Sequence, residues 1–279
     1  MNQQRYYSWI CAETTSYYNL NLNGRGKAFP LIPPELALHS RDSVDSSKPL
    51  VEIEQQIQIV IALSQFTVTQ GSLIVLAAAP IGKIQYKVNG EAQPAAVRYI
   101  ASSFRLRPLL AVLGDDCLIN QYYVLNSEVL PHGILRQILC RLQVVVWEGA
   151  EASYSITEPD IFGKYVARYD LHSGSESVSG MKRRVRYLNL PLYGSGGIGD
   201  ARVAPEGEIH FTLNKAKGLT QLRANLRTVV KQGSRTVIDD SEKIELTLIH
   251  QQRVSEQYRR HIMQLWSKDY RPVAPWENP

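Results

Sequence analysis

Polar and apolar residues alternate from Leu50 onward. Val51, Ile53, Ile57, Ile59 and Ile61 fall on one face, with Glu52, Glu54, Gln56, Gln58 and Val60 between them. A period of two marks a half-buried strand. Phe66-Thr67-Val68 continues the pattern. Ser72 to Ala77 is a short, fully apolar strand and Lys83 to Val88 another. Asn89-Gly90 then closes the run as a hairpin signal, because both residues tolerate positive φ. Tyr6 to Leu22, rich in Tyr, Thr and Asn, suggests strand and turn.

The period changes after Pro94. Ala95 to Leu113 predicts a helix interrupted at Pro108. Val129 to Leu142 predicts a second helix, with Ile134, Leu135, Ile138, Leu139 and Leu142 on one stripe and Pro131 near its first turn. Gln143 to Trp147 reads as a strand, and Ser153 to Ile156 is expected to pair with it. Past His172 to Gly180, the order predicted is strand Arg184 to Leu190, a glycine-rich loop and strand Glu208 to Leu213. Helix Leu219 to Lys231 follows, stopped by Gly233, then strand Lys243 to Ile249 and a helix from Ser255 to Trp266 with Ser255 as N-cap.

Strands crowd the first half and strand–helix alternation marks the last third, which favours an α+β fold. The expected layout is a mixed or antiparallel β-rich N-terminal part and a ferredoxin-like β-β-α-β-α C-terminal part. Ser173, Gly174, Ser175, Ser177 and Ser179 make residues 172–180 the expected flexible junction between lobes 1–171 and 181–279.

Length and composition suit a globular chain: 279 residues, 44% hydrophobic and 20% charged. The formal charge of +5 permits a polyanionic partner without requiring one. Cys11, Cys117 and Cys140 are far apart, form no C-x-x-C pair, and sit among apolar neighbours, so they read as buried thiols. The polar start Met1-Asn2-Gln3-Gln4-Arg5 is unlike a signal peptide, and the longest apolar run, near Leu73 to Ile81, is too short to span a bilayer. These features lead to the expectation of a cytoplasmic protein with no membrane partner.

The leading candidate chemistry is a basic strand beside a glycine loop. Lys182, Arg183, Arg184 and Arg186 precede Gly194-Ser195-Gly196-Gly197-Ile198-Gly199. Cations grip phosphate, and Gly194, Gly196 and Gly197 let the backbone approach it. The spacing fits G-x-G-x-x-G, but Pro205 and Gly207 leave no room for the helix that a dinucleotide-binding turn needs. Tyr187 and Tyr193 are placed to stack on bases. Arg223, Arg227 and Lys231 recur every four residues and share one face of the expected penultimate helix. The combination is similar in composition to the ferredoxin-like RNA-binding subunits of CRISPR complexes.

Other motifs are partial. His210-Phe211-Thr212-Leu213 resembles one half of the 2H phosphoesterase motif. That resemblance implies a second His-x-Thr strand, and no other histidine here has Thr or Ser two residues on. The acidic stretches Glu158-Pro159-Asp160 and Asp239 to Glu245 lack a following Glu-x-Lys, and Asp115-Asp116 reads as a turn. G-x-S-x-G, H-E-x-x-H and the P-loop are absent. The expectation is a non-catalytic subunit of a larger complex that binds RNA or single-stranded DNA, without cofactor or metal. Two alternatives stay open: a structural subunit of a multiprotein assembly, and an enzyme acting on a phosphorylated small molecule at the glycine loop.

Overall fold

The computed structural model describes residues 6–29, 48–68, 71–189 and 201–276. Almost all of its strands join one thirteen-stranded sheet, antiparallel throughout. Six consecutive strands form a meander: β9 (Ser153–Pro159), β10 (Lys164–Ser173), β11 (Ser177–Asn189), β12 (Ala201–Asn214), β13 (Gly218–Gln232) and β14 (Arg235–Arg253). A second meander comprises β2 (Thr14–Ala28), β3 (Val51–Val68) and β4 (Gly71–Val88). The two join where β14 pairs with β2. The sheet ends with β6 (Leu109–Leu113), β7 (Ile119–Val124) and β15 (Arg271–Val273). β5 (Glu91–Ala92) returns on β4 through Asn89-Gly90, both at positive φ as the hairpin signal required. β1 (Tyr6–Tyr7) and β8 (Val146–Trp147) make a separate pair.

This arrangement overturns the ferredoxin-like α+β expectation. Only three α-helices are present among the described residues: α1 (Pro94–Leu106), α2 (Val129–Leu142) and α3 (Glu256–Asp269). The clearest miss is residues 219–231, expected as a helix and found in β13. Leu222, Leu226 and Val230 are four apart, a spacing that places side chains on one face of a helix or a strand. Ala224 and Thr228 complete the same buried face, and their small or polar character hid the period of two. The expected helix to Leu113 ends before Pro108, and the chain beyond becomes β6. Ser153–Ile156 lies in β9 and pairs with β10, not with residues 143–147. Residues 172–180 lie at the β10–β11 hairpin, and the sheet runs continuously across it.

Burial explains which strands alternate. The inner face of the sheet packs against α2 through Ile134, Leu135, Ile138, Leu139 and Leu142, joined by Trp9, Tyr18, Leu20, Leu222 and Leu246. On the opposite face, α3 covers one end of the sheet: Ile262, Tyr258, Leu265 and Trp266 meet Phe66, Leu73, Val75, Leu110 and Val112. β6 and the start of β4 are therefore covered on both sides and read as unbroken apolar runs. β2, β13 and β14 are covered on one side and alternate. Ser255 caps α3 as expected, accepting from the Tyr258 N–H at 3.2 Å. Among the described residues, no helix is long and apolar enough to cross a membrane.

The sheet curls around α2. Arg141, in the last turn of that helix, bonds both Glu242 of β14 and Asp160 at the β9–β10 turn. Those strands are at least four interstrand spacings apart, about 19 Å in a flat sheet. One guanidinium reaches both, so the strands must bend toward each other.

Gly207 tests the closeness of β12 and β13. Its φ is +90°, and a Cβ there would lie 1.9 Å from the Asn225 carbonyl oxygen. Gly207→Ala should destabilise the protein by about 2 kcal/mol or more. Urea unfolding would show this as a lower midpoint at unchanged slope.

Candidate functional site

The basic segment divides according to strand geometry. In β11, Val178, Gly180, Lys182 and Arg184 point inward, and Arg183 points outward. Lys182 is fully buried and donates to Glu158 and to the Gln143 carbonyl oxygen, the latter at 2.9 Å. Glu158 also accepts from Tyr165 at 2.8 Å, from Gln143 at 3.3 Å and from Tyr169. The Lys182 ammonium lies 5.7 Å from the ring centres of both tyrosines. Burial, then the Glu158 charge, pushes the Tyr165 and Tyr169 pKa values well above the usual phenol value, so both remain hydrogen-bond donors.

A second buried network surrounds Arg141. It bonds Glu242 and, at 3.1 Å, Asp160. Burial opposes its charge, but Glu242 and the neighbouring Asp160 hold its pKa well above the ordinary value. Arg184 donates to Thr228 at 3.0 Å and to the Arg227 carbonyl oxygen at 3.3 Å. Tyr187 donates its hydroxyl to Asp160. Gln137 of α2 donates to Glu242 at 2.8 Å. Glu158, Asp160 and Glu242, from the two acidic stretches of the sequence, here serve as counter-ions to buried cations.

The expected phosphate-binding residues are therefore dispersed. Lys182 and Arg184 are buried, and Tyr187 is half-buried. Arg183 is paired with Glu208 at 2.9 Å, and Arg227 with Asp239 at 2.8 Å. Arg186 and Lys231 are exposed. Tyr193, Gly194, Gly196 and Gly197 lie outside the described residues. Arg223, Arg227 and Lys231 do share one face, as residues four apart in a strand also must, although Arg223 alone of them lines the cavity described next.

The outward face of the meander carries what the sequence reading missed: a cavity of about 810 Å³ lined by residues of β2, β10, β11, β12, β13 and β14. Pairing register arranges its side chains in two cross-strand rows. One row runs Asn19, Thr247, Gln221, Thr212, Ser179, His172, all uncharged when the histidine is neutral. The next runs Asn21, Glu245, Arg223, His210, Met181, Asp170. Asn19, Asn21, Gln221, Arg223 and Thr247 make no side-chain hydrogen bond or ion pair with any described residue. His210, from the partial phosphoesterase motif, lies 3.1 Å from Glu208. Among its lining residues the trough has one formal cation, Arg223, and two carboxylates, Asp170 and Glu245, which are paired with Arg168, Arg183 and Lys243 outside the lining. Strand alternation around the Asn, Gln and Thr positions was the available signal, but it needed the strand order to become a row.

Breaking the buried pair tests its role. Lys182→Met should cost about 3–5 kcal/mol because Glu158 is left buried and charged, and combining it with Glu158→Gln should recover part of that loss. Arg186→Ala should stay within about 0.5 kcal/mol. Thermal unfolding of the four proteins measures all three effects.

No family model matches the chain and no curated protein matches it. A solved structure described as "Lipid-protein interactions in lipovitellin" is similar to it in fold, with a TM-score of 0.56 and 8% sequence identity. The alignment covers 88% of this chain and 26% of that one, so the chain spans about a quarter of the length of the structure it resembles.

Proposed function

We propose that this chain is a non-catalytic binding module that docks a partner protein in the polar trough and works as a subunit of a larger assembly. The observation that supports this most is the two-row ladder. Amides and hydroxyls offer both donors and acceptors, as a polypeptide needs, and adaptable polar groups of this kind are typical of protein-recognition surfaces. The mixed signs of Arg223, Asp170 and Glu245 suit a partner of mixed charge. A nucleic-acid backbone would call for a run of free cations, and Lys182 and Arg184 are engaged inside the protein. The lipovitellin likeness is compatible with a module of this kind, since there the matched portion is about a quarter of a longer chain. A reducing compartment such as the cytoplasm fits the three free thiols, two buried and Cys11 half-buried.

Photo-crosslinking distinguishes the readings. A benzophenone side chain at Gln221 or Thr212, introduced in the cells that make the protein, should give discrete adducts that protease removes and nuclease leaves intact. The same probe at Lys231 should give none. Arg223→Glu should weaken the trough adducts about tenfold, the scale of one lost charge contact at an interface. Nuclease-sensitive adducts, or retention of single-stranded RNA by the purified protein at physiological salt, would instead support the nucleic-acid reading.

A further inference from the structure

On the face of the sheet opposite the trough, a separate cavity of about 440 Å³ lies between α2 and strands β2–β4 and β14. Its volume falls in the usual range for small-molecule sites. Two missing side chains open it, at Gly26 and Gly133, whereas the space beside Gly24 is taken by Gln55, whose side chain a Cβ there would meet at 2.8 Å. In β2 the residues facing the core are Tyr18, Leu20 and Leu22, and the same alternation brings Gly24 and Gly26 to the cavity. From the other side comes Gly133 of α2. A Cβ at Gly133 would meet nothing within 4 Å, and its φ is not positive, so the backbone does not require glycine there. Glycine in a helix interior is less stable than alanine. At this position it leaves room.

Tyr86, Leu130 and Ile134 are among its apolar lining residues, and the polar ones are Arg25, Gln55, Gln137 and Asp240. Asp240 sits opposite Gly26 in the β14–β2 register. Its carboxylate makes no hydrogen bond or ion pair with any described residue. Burial, then the neighbouring Glu242 charge, raises its pKa to about 6. The cations around it have partners: Arg141 of α2 with Glu242 and Asp160, and Arg184 of β11 with Thr228 and Asp160. Arg25 and Lys27 of β2 are paired with Glu52, and Arg227 of β13 with Asp239. The nearby Gln137 spends its amide N–H on Glu242, and its side-chain oxygen accepts from no described group.

We infer that this cavity binds an amphipathic organic amine, its ammonium group donating to Asp240 and to the Gln137 oxygen and its apolar body lying against Tyr86, Leu130 and Ile134. An ammonium has three donors and brings the counter-charge that Asp240 lacks. An alcohol of the same length would fill the same walls without that charge. A carboxylate would repel Asp240.

Calorimetry with octylamine, octanol and octanoate on the full chain tests this. The amine should bind at least tenfold more tightly than the alcohol at about pH 7.5, and octanoate should not bind. Because the complex needs Asp240 ionised, amine affinity should fall about tenfold per pH unit below about pH 6. Asp240→Asn should erase the preference for amine over alcohol and its pH dependence. Gly133→Leu should fill the cavity and abolish binding of both, with the melting temperature unchanged or raised. The Gly133→Leu result stands if Asp240→Asn fails to fold. Equal binding of amine and alcohol, absence of amine binding, or full amine binding by Gly133→Leu would overturn the inference. The trough faces the other way, so these outcomes are independent of partner docking.

Discussion

Arg141 is the side chain on which the curvature of this sheet depends. It leaves the last turn of α2 and holds Glu242 on one arm of the curl and Asp160 on the other. Taking a guanidinium and two carboxylates out of water is expensive, and the expense is offset only when geometry is good and the remaining atoms are satisfied. Tyr187, Gln137 and the backbone N–H groups of Phe162 and Gly163 supply the remaining donors to the two carboxylates, while one guanidinium nitrogen of Arg141, Nη2, is buried without a partner among the described residues. Lys182 and Glu158 repeat the arrangement a few residues away, with Tyr165, Tyr169 and Gln143 as donors. Apolar packing around α2 drives burial, but it is non-directional. The ionic networks name which strand meets which end of the helix.

That division of labour frees the outer face. Because the inward positions of β10–β14 carry the core and the buried ions, the outward positions need only be soluble. They carry Asn, Gln, Thr, Ser and His instead of a continuous field of one charge. Next to the trough the charges neutralise each other, across strands where Arg183 meets Glu208 and Asp170 and along β14 where Lys243 meets Glu245. At the far end, α3 covers the outer face with Tyr258, Leu265 and Trp266, so only the meander half of the sheet stays open.

The inner face is interrupted at one place. Gly26 and Gly133 face a volume that the core could have filled, and Asp240 borders it without a partner among the described residues. Elsewhere the buried carboxylates Glu158, Asp160 and Glu242 are each satisfied by several donors. Asp240 differs from these three, while the buried Glu128 also has one carboxylate oxygen, Oε2, without a partner among the described residues.

Local patterns were legible where one interaction dominated. Alternation in Val51–Ile61 specified a strand, the stripe in α2 specified a helix, Asn89-Gly90 specified a hairpin, and Ser255 capped α3. Leu222, Leu226 and Val230 were ambiguous because a four-residue spacing suits both periods, and β13 became a strand through pairing with β12 and β14. The basic run at 182–186 was visible as charge, but not as two opposed sets of side chains. Strand geometry sends Lys182 and Arg184 inward and Arg183 outward, and only the acids of distant strands, Glu158 and Asp160, make the inward direction tolerable. The sequence by itself determined which segments alternate, which helices carry an apolar stripe and where charges cluster, because those depend on neighbours along the chain. Strand order, curl, the rows of the trough and the partners of each buried ion were decided by tertiary structure, because each is a contact between residues far apart in sequence.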